Sequence, residues 1–151
     1  YGMYYWDDNY PDSHVFAEGE CLRKTFDPDF MLYHTMAVDE WGHMKGADSA
    51  EYANAVAAVG HLIAARMPEW LEKGYQVVVT ADHGMNNLGI HVGTEYAQRE
   101  VALYIFSDKV ENGRFEENYI SQLNVAPLVC KLMGVPATEG MKQELEIVFS
   151  K

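Results

Sequence analysis

With 151 residues, 48% of them hydrophobic and 13% aromatic, the chain can bury the core of one domain, which excludes a disordered tract and a disulfide-built miniprotein. A formal net charge of -12, from 23 acids against 11 Lys and Arg, excludes a surface that neutralises nucleic-acid phosphates non-specifically. No apolar run approaches the roughly 20 residues a membrane-spanning helix requires.

The cysteines, Cys21 and Cys130, form no CxxC pair and read as buried free thiols. The chain opens on Tyr1 without an initiator Met or a signal-peptide pattern, so it reads as processed, excised or incomplete at its start. The compartment is only loosely bounded, with the cytoplasm as the default, and the oligomeric state stays open. In chain order, the opening "YGMYYWDDNYPDSHVF" is aromatic, acidic and rich in turn formers, and Tyr10 to Ser13 reads as a turn. Its aromatics either line a pocket by stacking or cover a core edge. A short helix is expected over residues 17–25, a break at Asp27-Pro28-Asp29, then a buried strand over 30–38, "FMLYHTMAV".

From Asp48 the period changes. Tyr52, Val56, Val59, Ile63 and Met67 recur at three- and four-residue steps, predicting a long helix capped by Asp48 or Ser49 and broken or kinked at Pro68. The β-branched run "YQVVVT", residues 75–80, predicts a second strand and "VALYIF", 101–106, a third. Strand, helix and strand in that order predict a parallel βαβ crossover, hence an α/β fold with a mostly parallel sheet flanked by helices. A last helix is expected within "ENYISQLNVAPLVCKLMGV", residues 117–135, closed by Gly134.

Parallel α/β sheets carry their functional groups at the carboxyl ends of strands. The first predicted strand runs into "VDEWGHMKG", with Asp39 and His43 in a DxxxH spacing, and the second into "TADHGM", with Asp82 and His83. Burying such groups costs free energy unless something satisfies them, and a metal ion satisfies both kinds. His91, in "NNLGIHVGT", follows on a loop that can fold back to the same edge. Carboxylate and imidazole together suit zinc, manganese or iron better than calcium or magnesium, and five such ligands point to two ions. His34 and His61 fall inside predicted elements and read as packing or surface residues; His14 is unassigned.

The ordered set "DEWGHMKGADSAEY", "VVVTADHGMNNLGIHVGT" and "REVALYIF" resembles the metal-binding half of the alkaline phosphatase superfamily, closest to the nucleotide pyrophosphatase/type I phosphodiesterase branch. The resemblance implies that Asp39, His43 and His91 hold one divalent ion and that Asp82 and His83 help hold a second, zinc with manganese as the alternative. It also implies a small phosphate-ester or nucleotide substrate, transfer to a Thr or Ser hydroxyl through a covalent phospho-enzyme, and hydrolysis of phosphodiester or pyrophosphate bonds. The family's first metal-binding Asp and its nucleophile precede these motifs, and none of Ser13, Thr25 or Thr35 sits in a comparable position. Residues 1–151 therefore read as a single partial domain, the C-terminal metal-binding part of the catalytic domain, inactive alone. Phosphoglycerate mutases, sulfatases, phosphonoacetate hydrolases and phosphoethanolamine transferases share the metal edge, and a noncatalytic metal- or partner-binding module is the reading from a different class.

Overall fold

The computed structural model describes residues 2–7, 9–113, 119–141, 145 and 147–150. Tyr1, and Glu117 and Asn118 at the start of the last predicted segment, lie outside them. Pro11 leads into a helix rather than a turn: its ring holds φ at -63°, and α1 runs over Asp12–Phe26, longer at its start than the sequence suggested. α1 buries Phe16, whose ring stacks on Tyr33 at 5.1 Å and on Trp70 at 6.4 Å, with the Arg66 guanidinium over its face at 5.1 Å. Beside this aromatic stack, Glu20 accepts hydrogen bonds from Arg23, from Trp70 Nε1 at 2.7 Å and from the Tyr33 hydroxyl at 3.1 Å. Cys21, on the same helix, is exposed rather than buried, and both thiols are free.

The predicted strand over 30–38 does not form. Its burial alternates as a strand's does, Met31 and Tyr33 inward, Leu32 and His34 outward, but no ladder pairs it among the described residues. Alternation fixes which side chains turn inward; a strand also needs neighbouring backbone to accept and donate. The end of the run instead enters α2 (Ala37–Lys45), whose free N–H groups at Met36 and Ala37 point at Asp12 Oδ1, at 3.0 and 3.5 Å. The DxxxH motif thus rides on a helix.

α3 (Ala50–Ala64) follows the predicted periodicity and is capped by Ser49, whose Oγ accepts from Tyr52 N at 3.1 Å. Pro68 then stands in the first turn of α4 (Met67–Glu72), where its missing N–H costs nothing. The β-branched run gives β1 (Val77–Val79), and after the short α5 (Tyr96–Arg99) comes β2 (Tyr104–Phe106). The two strands pair antiparallel, Val78 opposite Ile105, as the only sheet among the described residues. The class is α/β, but the mostly parallel sheet and its βαβ crossover are absent from the described residues because residues 30–36 never join β1. A 3₁₀ turn over Gln122–Asn124 leads into α6 (Val125–Met133), which buries Leu128 and Leu132 with Ile147 against Val78, Leu103 and Ile105. This core anchors β1, and so the loop that leaves it at Thr80.

Candidate metal centre

Two elements meet at the site: α2 and the irregular segment after β1. On a helix, positions four apart share a face, so Asp39 and His43 stand together, Oδ2 to Nε2 3.4 Å. α2 approaches the loop closely because Gly42 has no side chain. A Cβ there would lie 2.8 Å from Met85 Cε and 3.2 Å from the Tyr52 ring. The loop returns the approach at Gly89, in the left-handed region with φ +73°, where a Cβ would meet the His43 carbonyl at 2.6 Å.

The imidazoles are oriented by backbone carbonyls, which can only accept. The Nδ1–H of His43 donates to Gly89 O at 2.8 Å and that of His83 to Gly84 O at 3.0 Å, leaving each Nε2 lone pair free on the side of Asp39. Metal-ligating histidines commonly have their second nitrogen held in this way. His83 Nε2 lies 3.7 Å and His91 Nε2 4.0 Å from Asp39 Oδ1, and their two rings stack at 3.8 Å.

Asp39 Oδ1 is itself buried and has no hydrogen-bond partner among the described residues. A carboxylate oxygen in that position is costly unless a positive charge sits beside it. Asp39, His83 and His91 offer ligand atoms all within 4.8 Å of one another. The donor set and the unpartnered oxygen fit a divalent ion. Tyr52, which the helical periodicity marked only as a core position, borders the site; burial and then the Asp39 charge push its hydroxyl above the usual tyrosine range.

The five residues singled out in the sequence do not converge equally. His43 faces the other oxygen of Asp39, while Asp82 is 71% exposed, with Oδ1 3.8 Å from His83 Nε2 and accepting from the His83 N–H. The tightest group therefore joins His83 to Asp39 and His91, whereas the family resemblance puts His43 in that place. Asn86 and Gln98, both buried, were not singled out at all. Glu95 and Gln98 form a capping box around α5, a spacing that a search for helix starts could have found.

The profile of the type I phosphodiesterase/nucleotide pyrophosphatase family matches residues 6–129. The chain belongs to this family. That membership agrees with the motif resemblance and with the alkaline phosphatase superfamily to which the family belongs. Among curated relatives, the GPI ethanolamine phosphate transferase 3 catalytic subunit of Homo sapiens is 29% identical over 115 residues, 74% of this chain and 10% of that protein. Its Mus musculus counterpart is 29% identical over 145 residues, 91% of this chain and 13% of the relative. GPI ethanolamine phosphate transferase 2 of Debaryomyces hansenii is 25% identical over 121 residues, 72% of this chain and 14% of the relative. The chain spans 10% to 14% of the length of these relatives. No solved structure gives a significant match. Among the described residues no helix is long and apolar enough to cross a membrane, and nothing in the comparisons supports the cytoplasmic expectation.

Proposed function

We propose that this chain is the C-terminal, metal-holding part of the catalytic domain of an enzyme that cleaves phosphodiester bonds. Asp39, His43, Asp82, His83 and His91 are the ligands of two divalent ions in this reading, zinc or manganese. The observation that carries it is the buried, unpartnered Asp39 Oδ1 facing the Nε2 atoms of His83 and His91. When bound, such ions supply positive charge to the nonbridging oxygens of the ester and favour the deprotonated form of an attacking hydroxyl.

The residues of this chain contribute orientation. Backbone carbonyls fix the ring tautomers of His43 and His83, and Gly42 and Gly89 let α2 and the loop close on each other, so a phosphate ester meets a preformed centre. The attacking hydroxyl, a Thr or Ser in the family resemblance, is assigned to no residue of this chain.

The acceptor of the transferred group separates two versions of this function. Water makes the enzyme a hydrolase of phosphodiester or nucleotide pyrophosphate bonds, as the family's description has it. An alcohol makes it a phosphoethanolamine-type transferase, a reading favoured by the names of the relatives. Both need the same metal edge.

The test is the metal content of the chain after exchange into zinc-containing and then metal-free buffer, read by elemental mass spectrometry beside D39A. The expected result is a tightly held ion in the wild type and none in D39A. A wild type without metal, or a D39A chain that retains it, overturns the proposal.

A further inference from the structure

The segment that carries His91 has no regular structure, yet a ligand must be held to within a fraction of an ångström for an ion to bind tightly. One buried residue, through its side chain and its backbone together, accounts for most of its order. Asn86 Oδ1 accepts from Leu88 N at 3.0 Å and from Ile90 N at 2.9 Å, while its Nδ2 donates to Glu95 Oε2 at 3.2 Å. The Asn86 backbone adds three more bonds: its N–H donates to Ile90 O at 3.1 Å, and its carbonyl accepts from Gly89 N at 3.2 Å and from Ala47 N, just past α2, at 3.1 Å. Asn86 therefore ties the loop to itself, to the end of α2 and to the start of α5.

Two consequences reach the centre. Ile90, clasped at both its N–H and its carbonyl, immediately precedes His91, and Gln98 Nε2 donates to the same Ile90 carbonyl at 3.2 Å. Gly89, held through its N–H, offers the carbonyl that receives the Nδ1–H of His43. The two imidazoles come from elements far apart in sequence, and one short loop sets both.

We infer that Asn86 is a positioning residue that sets the metal affinity of this centre, by fixing the loop that presents His91 and holds the ring of His43. The inference rests on the metal reading above. It adds a role for a residue outside the ligand set, acting through Gly89 and Ile90.

The chemistry of the amide supplies the test. In N86D an oxygen remains for the Leu88 and Ile90 N–H groups, but the donor to Glu95 is replaced by a second carboxylate, and like charges at that distance repel. Adding E95Q places an amide donor opposite the new carboxylate while keeping an oxygen for the α5 cap. Cobalt(II) is titrated into the full chain and followed by its visible absorption, with the melting temperature of each metal-free variant measured alongside. N86A and N86D are expected to weaken cobalt binding about 10- to 100-fold, the range for outer partners of metal ligands, and to shift the absorption bands. N86D/E95Q is expected to recover most of the loss. N86D binding like the wild type, or N86D/E95Q binding no better than N86D, overturns the inference, and this pair decides even if N86A fails to fold. A wild-type chain that takes up no cobalt overturns the metal reading and the inference with it, an outcome distinct from a wild type and variants that bind alike.

Discussion

Asp39 Oδ1 stands 3.7 Å from His83 Nε2, a contact between α2 and the loop after β1 in which the carboxylate oxygen is buried and accepts no hydrogen bond from the described residues. An unsatisfied buried acceptor costs about 1–3 kcal/mol, so on the proposed metal reading the metal-free fold bears a cost at Asp39 that a bound ion would offset. D39A is therefore expected to leave the metal-free chain within about 1 kcal/mol of the wild type, the relieved oxygen balancing the lost packing. The difference emerges with metal: zinc at about 100 times its Kd is expected to stabilise the wild type by about 2.7 kcal/mol and D39A hardly at all. Urea unfolding with and without zinc reads both terms, and equal zinc stabilisation of the two chains would contradict this account.

The two glycines at the α2–loop contact are expected to respond differently to alanine. At Gly42 the added methyl meets only side chains, those of Met85 and the Tyr52 ring, which can shift, and alanine regains about 0.5–1 kcal/mol of helix preference. At Gly89 it meets the His43 backbone in a left-handed residue, and neither can yield. G89A is expected to cost about 2–3 kcal/mol and to loosen His43, while G42A stays within about 1 kcal/mol of the wild type. Chemical denaturation of the two variants checks the order.

The contrast between α3 and α2 explains how much of this was legible in the sequence. α3 announces itself locally, with an apolar residue every three or four positions and Ser49 to accept the free N–H of Tyr52. α2 has its acceptor at Asp12, on another helix, so its start is invisible within the "MAVDEWGH" segment and the apolar run before it reads as a strand reaching Val38. The site suffered the same division. Asp39, His43, Asp82, His83 and His91 could be picked out by residue type and spacing. Asn86 could not, because an asparagine in a loop is ordinary until its partners at Leu88, Ile90 and Glu95 are known.

Acid is expected to weaken the fold through Glu20, whose partners Arg23, Tyr33 and Trp70 lie outside the candidate site. Burial pushes its carboxyl up, but the hydrogen bonds from Arg23, Trp70 and Tyr33 and the charge of Arg23 more than offset this, holding it at about 2 against an ordinary 4.5. A carboxyl depressed in the folded state contributes stability that is present above its unfolded value and is lost as pH falls from about 4.5 towards 2. The size is about 3 kcal/mol, at 1.36 kcal/mol per unit. E20Q is expected to be less stable near neutral pH and to show a flatter decline in acid. Urea unfolding across that range checks it, and parallel acid limbs for the two chains would remove Glu20 from the explanation.

The division of ligands between ions gives the last expected outcome. On the proposed metal reading, Asp39 and His91 serve the first ion whether the third ligand is His83, which completes the convergent group with them, or His43, as the family resemblance implies. Asp82, 71% exposed and engaged with its own neighbour's N–H, is a ligand of the first ion in neither version of that reading. D39A and H91A are thus expected to abolish the tightly held ion, and D82A to leave it in place while lowering occupancy of the second. The comparison of H43A with H83A then identifies the third ligand, since only the variant that removes it releases the first ion. Elemental mass spectrometry of the five variants reads this directly. Loss of the tight ion in D82A, with retention in H91A, would mean that the centre is built around the Asp82-His83 pair rather than around Asp39.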